Sequence, residues 1–389
     1  MSGQVRPVVA VVMLCHFVAS FAALGMPPFF ALILERSLDN DRPWLAGAFY
    51  VVPTLLAALS APWWGRLADR YGKKPLLVRA QLGLALSFLL AGFATSTSGF
   101  FAALVLQGVL GGTFAASNAY LATIASGAAL VRSLTAMQWS ARAALVAAPA
   151  CLGLWIGERS PIELYRWLAL LPLAAALLVA LLPAGGAAAR AGAPAAAPAA
   201  RAPASPRQIY VLQFVFVFAT VATFPYFVAD LQQRLPALTA GTAGLLFGLP
   251  HLVYLLAAPP LARWLGAPSL GGLALGFAAL ALALAAQSFS HDLPALVGWR
   301  LVMGVAMSVG FVGLHALVAS VVEAGSAGRS FGGFESSSKW GGAAGGLAAG
   351  AIAVAAGTAA PFLLGATALL PALLYLAVLM RRAPRPRAA

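Results

Sequence analysis

The sequence predicts an all-α membrane protein of twelve transmembrane helices arranged as two pseudo-symmetric six-helix bundles. Three observations carry that expectation. The composition is too apolar for a water-facing surface, the chain breaks into twelve apolar runs of membrane-crossing length, and the second half repeats features of the first.

Of 389 residues, 62% are hydrophobic and 9% are charged, and the mean hydropathy is +0.91. A soluble domain carries roughly 25% charged residues, so most of this surface is expected to face a lipid bilayer. The net charge of +14 does not indicate nucleic acid, because the bases sit between long apolar runs. That distribution fits loops held against anionic lipid. The two cysteines, Cys15 and Cys151, both fall inside apolar runs, which argues against a disulfide framework. The first apolar run, residues 8–34, is too long for a signal-peptide core and reads as the first span.

A helix crosses about 30 Å of hydrocarbon with roughly 20 apolar residues. Runs meeting that length lie at about 8–34, 44–64, 77–95, 100–125, 132–157 and 163–182. Six more lie at about 209–230, 240–262, 268–288, 293–320, 329–355 and 359–380. Between them, residues 183–208 are rich in Ala and Pro with Arg190, Arg201 and Arg207, and read as a cytoplasmic linker. The expected domains are therefore 1–182 and 209–389.

Loop charge sets the expected orientation. With the N-terminus inside, 16 of the 24 Lys and Arg residues fall on the cytoplasmic side and 5 outside, with Arg142, Arg300 and Lys339 inside spans. Glu35, Asp39, Asp41, Glu158, Glu163, Asp230 and Asp292 fall outside. Both termini are thus expected in the cytoplasm.

A shift near 197 aligns the halves. Pro28-Phe29-Phe30 falls on Pro225-Tyr226-Phe227, and Arg132-Ser133 on Arg329-Ser330. Gln138-x-x-x-Arg142 in the fifth span falls on Glu335-x-x-x-Lys339 in the eleventh, and His16 falls on Gln213. Two parallel six-span repeats with a substrate site near the midplane are an architecture of secondary transporters.

Between the second and third spans stands Gly65-Arg66-Leu67-Ala68-Asp69-Arg70-Tyr71-Gly72-Lys73-Lys74-Pro75. Gly65 and Gly72 are expected to permit a tight helix-to-helix turn, and Asp69 has ion-pair partners among the bases Arg66, Arg70, Lys73 and Lys74. This stretch resembles the G-x-L-a-D-r-x-G-r-k signature of the major facilitator superfamily, and the likeness extends over essentially the whole chain outside the linker. The resemblance implies that Gly65, Arg66, Asp69, Arg70, Gly72 and Lys73 form a cytoplasmic gate. In that family the acid at the place of Asp69 latches the cytoplasmic side against a helix N-terminus of the other half. The matching place in the second half, Ala262-Arg263-Trp264-Leu265-Gly266, lacks the acid.

Among major facilitators the chain is most similar to the twelve-span drug:proton antiporters. Their fifth-span motif has a partial counterpart at Ala144 to Gly153, which keeps Pro149 and Gly153 and replaces the first glycines by alanine. The arginine that the family places in the fourth span is Leu104 here, and an arginine stands instead at the repeat-related Arg300.

Charges inside a span cost at least about 2.5–3.5 kcal/mol even on insertion scales, so each is a functional candidate. Glu335 and Lys339 are four residues apart, share a helix face and can pair. With Arg300 they form the expected proton-coupling set. Arg142, Gln138, His16, Gln213, Tyr226, Trp139 and Trp340 form the expected substrate-binding set. A packing ion pair, buried structural histidines and interfacial tryptophans are the plainer readings of the same residues. Asp230, at the end of the seventh span, reads as an outer-surface acid.

The expected function is proton-coupled export of an amphipathic or anionic small molecule by a monomer in the cell inner membrane. The strings around Gln138–Arg142 and Phe334–Gly341 also look similar to siderophore exporters, and the bases Arg142, Arg300 and Lys339 suit an anionic cargo. An importer or uniporter of a sugar-like or organic-acid metabolite is the alternative. The chain shows no H-E-x-x-H, Walker loop or nucleophile constellation, so no enzyme, metal or cofactor is expected.

Overall fold

The computed structural model describes residues 5–125, 127–156, 160–184, 204–265, 269–321 and 327–382. Among these residues every regular element is helical, as lipid requires of a backbone that meets no water. The first half runs α1 Val5–Gly25, α2 Phe30–Leu38, α3 Trp44–Tyr71, α4 Lys73–Gly92, α5 Thr97–Leu110, α6 Thr113–Ile124, α7 Gly127–Ile156, α8 Leu164–Leu168 and α9 Leu170–Leu181. The second runs α10 Pro206–Val221, α11 Phe227–Arg234, α12 Ala240–Leu265, α13 Leu270–Ser288, α14 Leu293–Ser320, α15 Ala327–Ala356 and α16 Ala360–Arg382. Ten segments among the described residues are long and apolar enough to cross a bilayer, including the paired helices α1–α2 and α5–α6. The helix α10 is a shorter apolar segment, and α15 occupies the place of the eleventh expected span. Most of the expected linker, residues 185–203, lies outside the described residues.

Several expected spans are interrupted helices. The first breaks at a 3-10 turn over Pro27–Phe29, where two prolines remove backbone donors. The fourth, expected as one run over 100–125, breaks at Gly111-Gly112, where Gly112 takes φ +85°. A break at that depth strands carbonyls at the end of α5, and side chains from two neighbouring helices meet them. The Trp64 indole donates to the Val109 carbonyl at 2.6 Å, and the Arg79 guanidinium donates to the Leu110 carbonyl at 2.5 Å. The guanidinium also lies 3.4 Å over the Trp64 ring. Non-helical backbone is tolerated in a membrane where protein groups satisfy it in this way.

The loop between α3 and α4 is tighter than expected. The helix α3 continues through Gly65 to Tyr71, and Gly72 alone makes the turn, at φ +100°. Gly65 lies inside the helix, and a Cβ there would meet open space. Its expected role as a turn residue is therefore corrected.

The chain divides into two compact units, Met1–Gly192 with Pro225–Gly248, and Ala193–Phe224 with Leu249–Ala389. The first unit has a buried core in which Val12, Leu77, Tyr120, Met137 and Val179 pack together from α1, α4, α6, α7 and α9. In lipid such helices associate through close packing and hydrogen bonds, not through escape from water.

The repeat is visible in individual contacts, each inside its own unit. Ser140 of α7 donates to the Met13 carbonyl of α1 at 3.2 Å. Ser337 of α15 donates to the Tyr210 carbonyl of α10 at 2.5 Å. Both pairs are related by a shift of 197. Likewise a Cβ on Gly108 would meet Leu56 and Pro53 within 2.9 Å, and one on Gly304 would meet Val253 and Pro250 within 3.0 Å.

Candidate functional site

The helix α15 turns its small and hydroxylated residues toward α10. Besides the Ser337 bond, the Gln213 amide donates to the Ser338 hydroxyl, and the Gln213 side chain is buried. A Cβ on Gly345 would lie 2.7 Å from the Phe218 carbonyl, so the two backbones touch. Phe334 packs edge-on against His315 of α14 at 5.1 Å between ring centres, and His315 Nδ1 bonds the Phe311 carbonyl at 2.8 Å. With those faces occupied, Glu335, Lys339 and Trp340 stay exposed on the rest of α15. Glu335 and Lys339 share a face as expected, but among the described residues they form no ion pair.

The expected third member of that set lies elsewhere. Arg300 is buried between α13 and α14, its guanidinium 3.4 Å from Gln287 Oε1 and 3.5 Å from Met303 Sδ. It precedes His315 by fifteen residues on one helix, roughly 22 Å along its axis. His315 is at the level of Phe334, so Arg300 is far from Glu335 and is not part of one cluster with it. Burial keeps its guanidinium away from the protein surface.

In the first unit, Gln138 and Trp139 of α7 are exposed and Arg142 is half-buried with a partner. Their face of α7 continues through Val146, Pro149 and Gly153, which approach the start of α12 closely. A Cβ on Gly248 would lie 2.8 Å from the Val146 carbonyl. One on Gly244 would overlap the Pro149 carbonyl, and one on Gly153 the Ala240 carbonyl. His16 is buried, with Nε2 3.2 Å from the Ser20 hydroxyl and its ring 5.1 Å from Phe114. His16, Gln213 and Tyr226, all expected to bind substrate, are therefore packed inside their units.

On the α3–α4 loop, Asp69 is 74% exposed and pairs with Lys73 across the Gly72 turn. Arg66 is exposed, and the Arg70 guanidinium lies 5.3 Å over the Tyr71 ring. At the other end of α3, Tyr226 donates to the Pro43 carbonyl at 2.9 Å and accepts from the Gly47 amide at 3.0 Å. Asp230, expected at the surface, is buried and pairs with Arg234 one turn on. Four residues separate them, so α11 brings both to one face.

The Major Facilitator Superfamily description matches residues 12–229 and 208–389. This chain belongs to that superfamily. Curated relatives include the multidrug resistance protein MdtG of Proteus mirabilis, 37% identical over 99 residues, 25% of each chain. MdtG of Erwinia billingiae is 33% identical over 111 residues, 28% of this chain and 27% of the relative. The match therefore spans about a quarter of those relatives' length. Among solved structures, the nucleoside transporter NupG superposes with a TM-score of 0.77 at 14% identity, covering 96% of this chain and 99% of that one. The human organic anion transporter MFSD10 gives 0.67 at 19% identity, with 96% and 99% covered. At those identities the likeness concerns the fold alone. The protein is a multi-pass membrane protein of that superfamily.

Sequence reasoning missed Arg79 and the hydroxyl of Tyr226. Arg79 reads as one more loop base; the signal that could have found it is the Gly111-Gly112 pair inside an apolar run. Tyr226 stands out in the sequence as a substrate-binding candidate, but nothing there points to this contact, since its partners are main-chain atoms of a distant segment.

Proposed function

We propose that this superfamily member is a proton-coupled exporter of an amphipathic or anionic small molecule, acting as a monomer in the cell inner membrane with both termini cytoplasmic. The observation that carries the reading is the exposed couple Glu335 and Lys339 on α15, which form no ion pair among the described residues. They lie eight and twelve residues into the helix, roughly 12 and 18 Å along it. Charges at that depth are costly, and neutral packing residues would serve the fold better. Glu335 takes up a proton and Lys339 meets the acidic part of a cargo. The likeness of part of the chain to the multidrug resistance protein MdtG supports export, and so does the close approach of α7 at Pro149 and Gly153 to α12.

Cargo class is tested by adding candidates to inverted vesicles and following proton release with an internal pH dye. A ferric hydroxamate chelate and a cationic dye are the two arms. Proton movement with the chelate supports an anionic, siderophore-like cargo, and movement with the dye supports drug efflux. Proton movement with neither, beside uptake of an organic acid, favours the importer reading.

A further inference from the structure

The Tyr226 hydroxyl occupies an unusual position. Pro43 and Gly47 are four residues apart, so their carbonyl and amide are the pair that an uninterrupted first turn of α3 would join directly. In this structure the phenol oxygen stands between them, donating to one at 2.9 Å and accepting from the other at 3.0 Å. The ring around that oxygen is fully buried, 0% exposed. The segment that carries Tyr226, Pro225–Gly248, belongs to the second sequence half yet packs within the first unit. It is also attached through α11, which packs against α2 and the Pro27–Phe29 turn, and through the backbone-to-backbone approach of Gly244 and Ala240 to Pro149 and Gly153.

This contact has two satisfied states. With Tyr226 in place, the Gly47 amide bonds to its hydroxyl, and the Pro43 carbonyl accepts from that hydroxyl and from the Ala46 amide at 3.1 Å. With Tyr226 withdrawn, the Gly47 amide and the Pro43 carbonyl can bond to each other and complete the helix turn. Neither state strands a buried backbone group, which is the main cost of breaking a buried hydrogen bond. The repeat shows that the hydroxyl is not needed for packing, because Phe29 stands at the equivalent place in the first half and is also fully buried.

We propose that Tyr226 is a positioning residue of the transport cycle, an exchangeable latch that holds Pro225–Gly248 against the start of α3 and releases it when the passage opens there. The latch and the Asp69 loop sit at opposite ends of α3, a helix of 28 residues and roughly 42 Å. Calling the latch the outer one rests on the orientation proposed above.

The test uses the full chain in cells, with Cys15 and Cys151 replaced by serine and a reporter cysteine at fully buried Ala46. Labelling by a membrane-impermeant maleimide is timed with and without Tyr226→Phe. The expected result is labelling about threefold to tenfold faster in the phenylalanine variant, the effect of a neutral hydrogen bond of ordinary strength, with an unchanged melting temperature in detergent. If Ala46→Cys does not insert, Ala243→Cys, also fully buried, replaces it. Equal labelling rates overturn the latch. A melting temperature that falls alongside faster labelling also overturns it, making the hydroxyl a fold contact. Acceleration seen only with a permeant maleimide supports the latch and overturns the proposed orientation.

Discussion

Ser337 donates its hydroxyl to the Tyr210 carbonyl at 2.5 Å, and its repeat partner Ser140 makes the same bond to Met13 at 3.2 Å. The two bonds tie the fifth and eleventh expected spans to the first and seventh in the same register. They anchor one side of each helix, and Arg142, or Glu335 and Lys339, two residues away, project on the nearly opposite side. Ser337→Ala and Ser140→Ala should each lower stability by about 1 kcal/mol. Because the bonds share no partner, the double variant should show the sum within about 0.5 kcal/mol. Thermal unfolding of detergent-solubilised protein checks both statements.

Arg79 should matter more than a loop base. Replacing it by methionine keeps bulk beside Trp64 but removes the donor to Leu110, leaving that carbonyl at the broken end of α5. A loss of about 1–3 kcal/mol is expected, with Arg79→Lys losing less because a donor remains. Melting temperatures of the two variants, compared with an exposed control such as Arg66→Met, measure the difference.

Gly244 permits the approach of α12 to α7. A valine there would place its Cβ against the Pro149 carbonyl, and backbone cannot yield as a flexible side chain would. Gly244→Val is expected to cost about 1–3 kcal/mol through overpacking and to reduce transport. Gly298→Val, where a Cβ meets nothing within 4 Å, is the matched control and should leave both unchanged.

Asp69 poses the opposite case. It is largely exposed and its pair with Lys73 spans one turn, so Asp69→Asn should change stability by less than about 1 kcal/mol. The superfamily signature in which it stands implies a gating role, and transport should fall several-fold. Parallel measurement of melting temperature and transport rate separates the two effects.

Much of the fold was legible because lipid removes alternatives. A run such as Leu293–Ser320 can only be a helix, and the shift that aligns Gln138–Arg142 with Glu335–Lys339 also aligns real hydrogen bonds. Helix interruptions were harder, since Gly111-Gly112 and Pro27-Pro28 lie in runs whose hydropathy never drops. The expected site was read from charge and helical spacing, which kept Glu335 and Lys339 on one face. Spacing along a chain says nothing of depth between neighbouring helices. It therefore grouped Arg300 with them, although Arg300 is buried against Gln287 near the other end of α14. Asp230 misled for a related reason: its partner Arg234 closes the pair inside the protein, and composition shows only two charges near a span end.

Glu335 is proposed to couple protons to export. The direct measurement is cargo accumulation in inverted vesicles energised by a proton gradient, comparing the native chain with Glu335→Gln, alongside cargo counterflow without a gradient. The native protein is expected to accumulate cargo and lose it when the gradient is collapsed, while Glu335→Gln fails to accumulate yet still exchanges cargo in counterflow. Equal gradient-driven accumulation by the two proteins would contradict it.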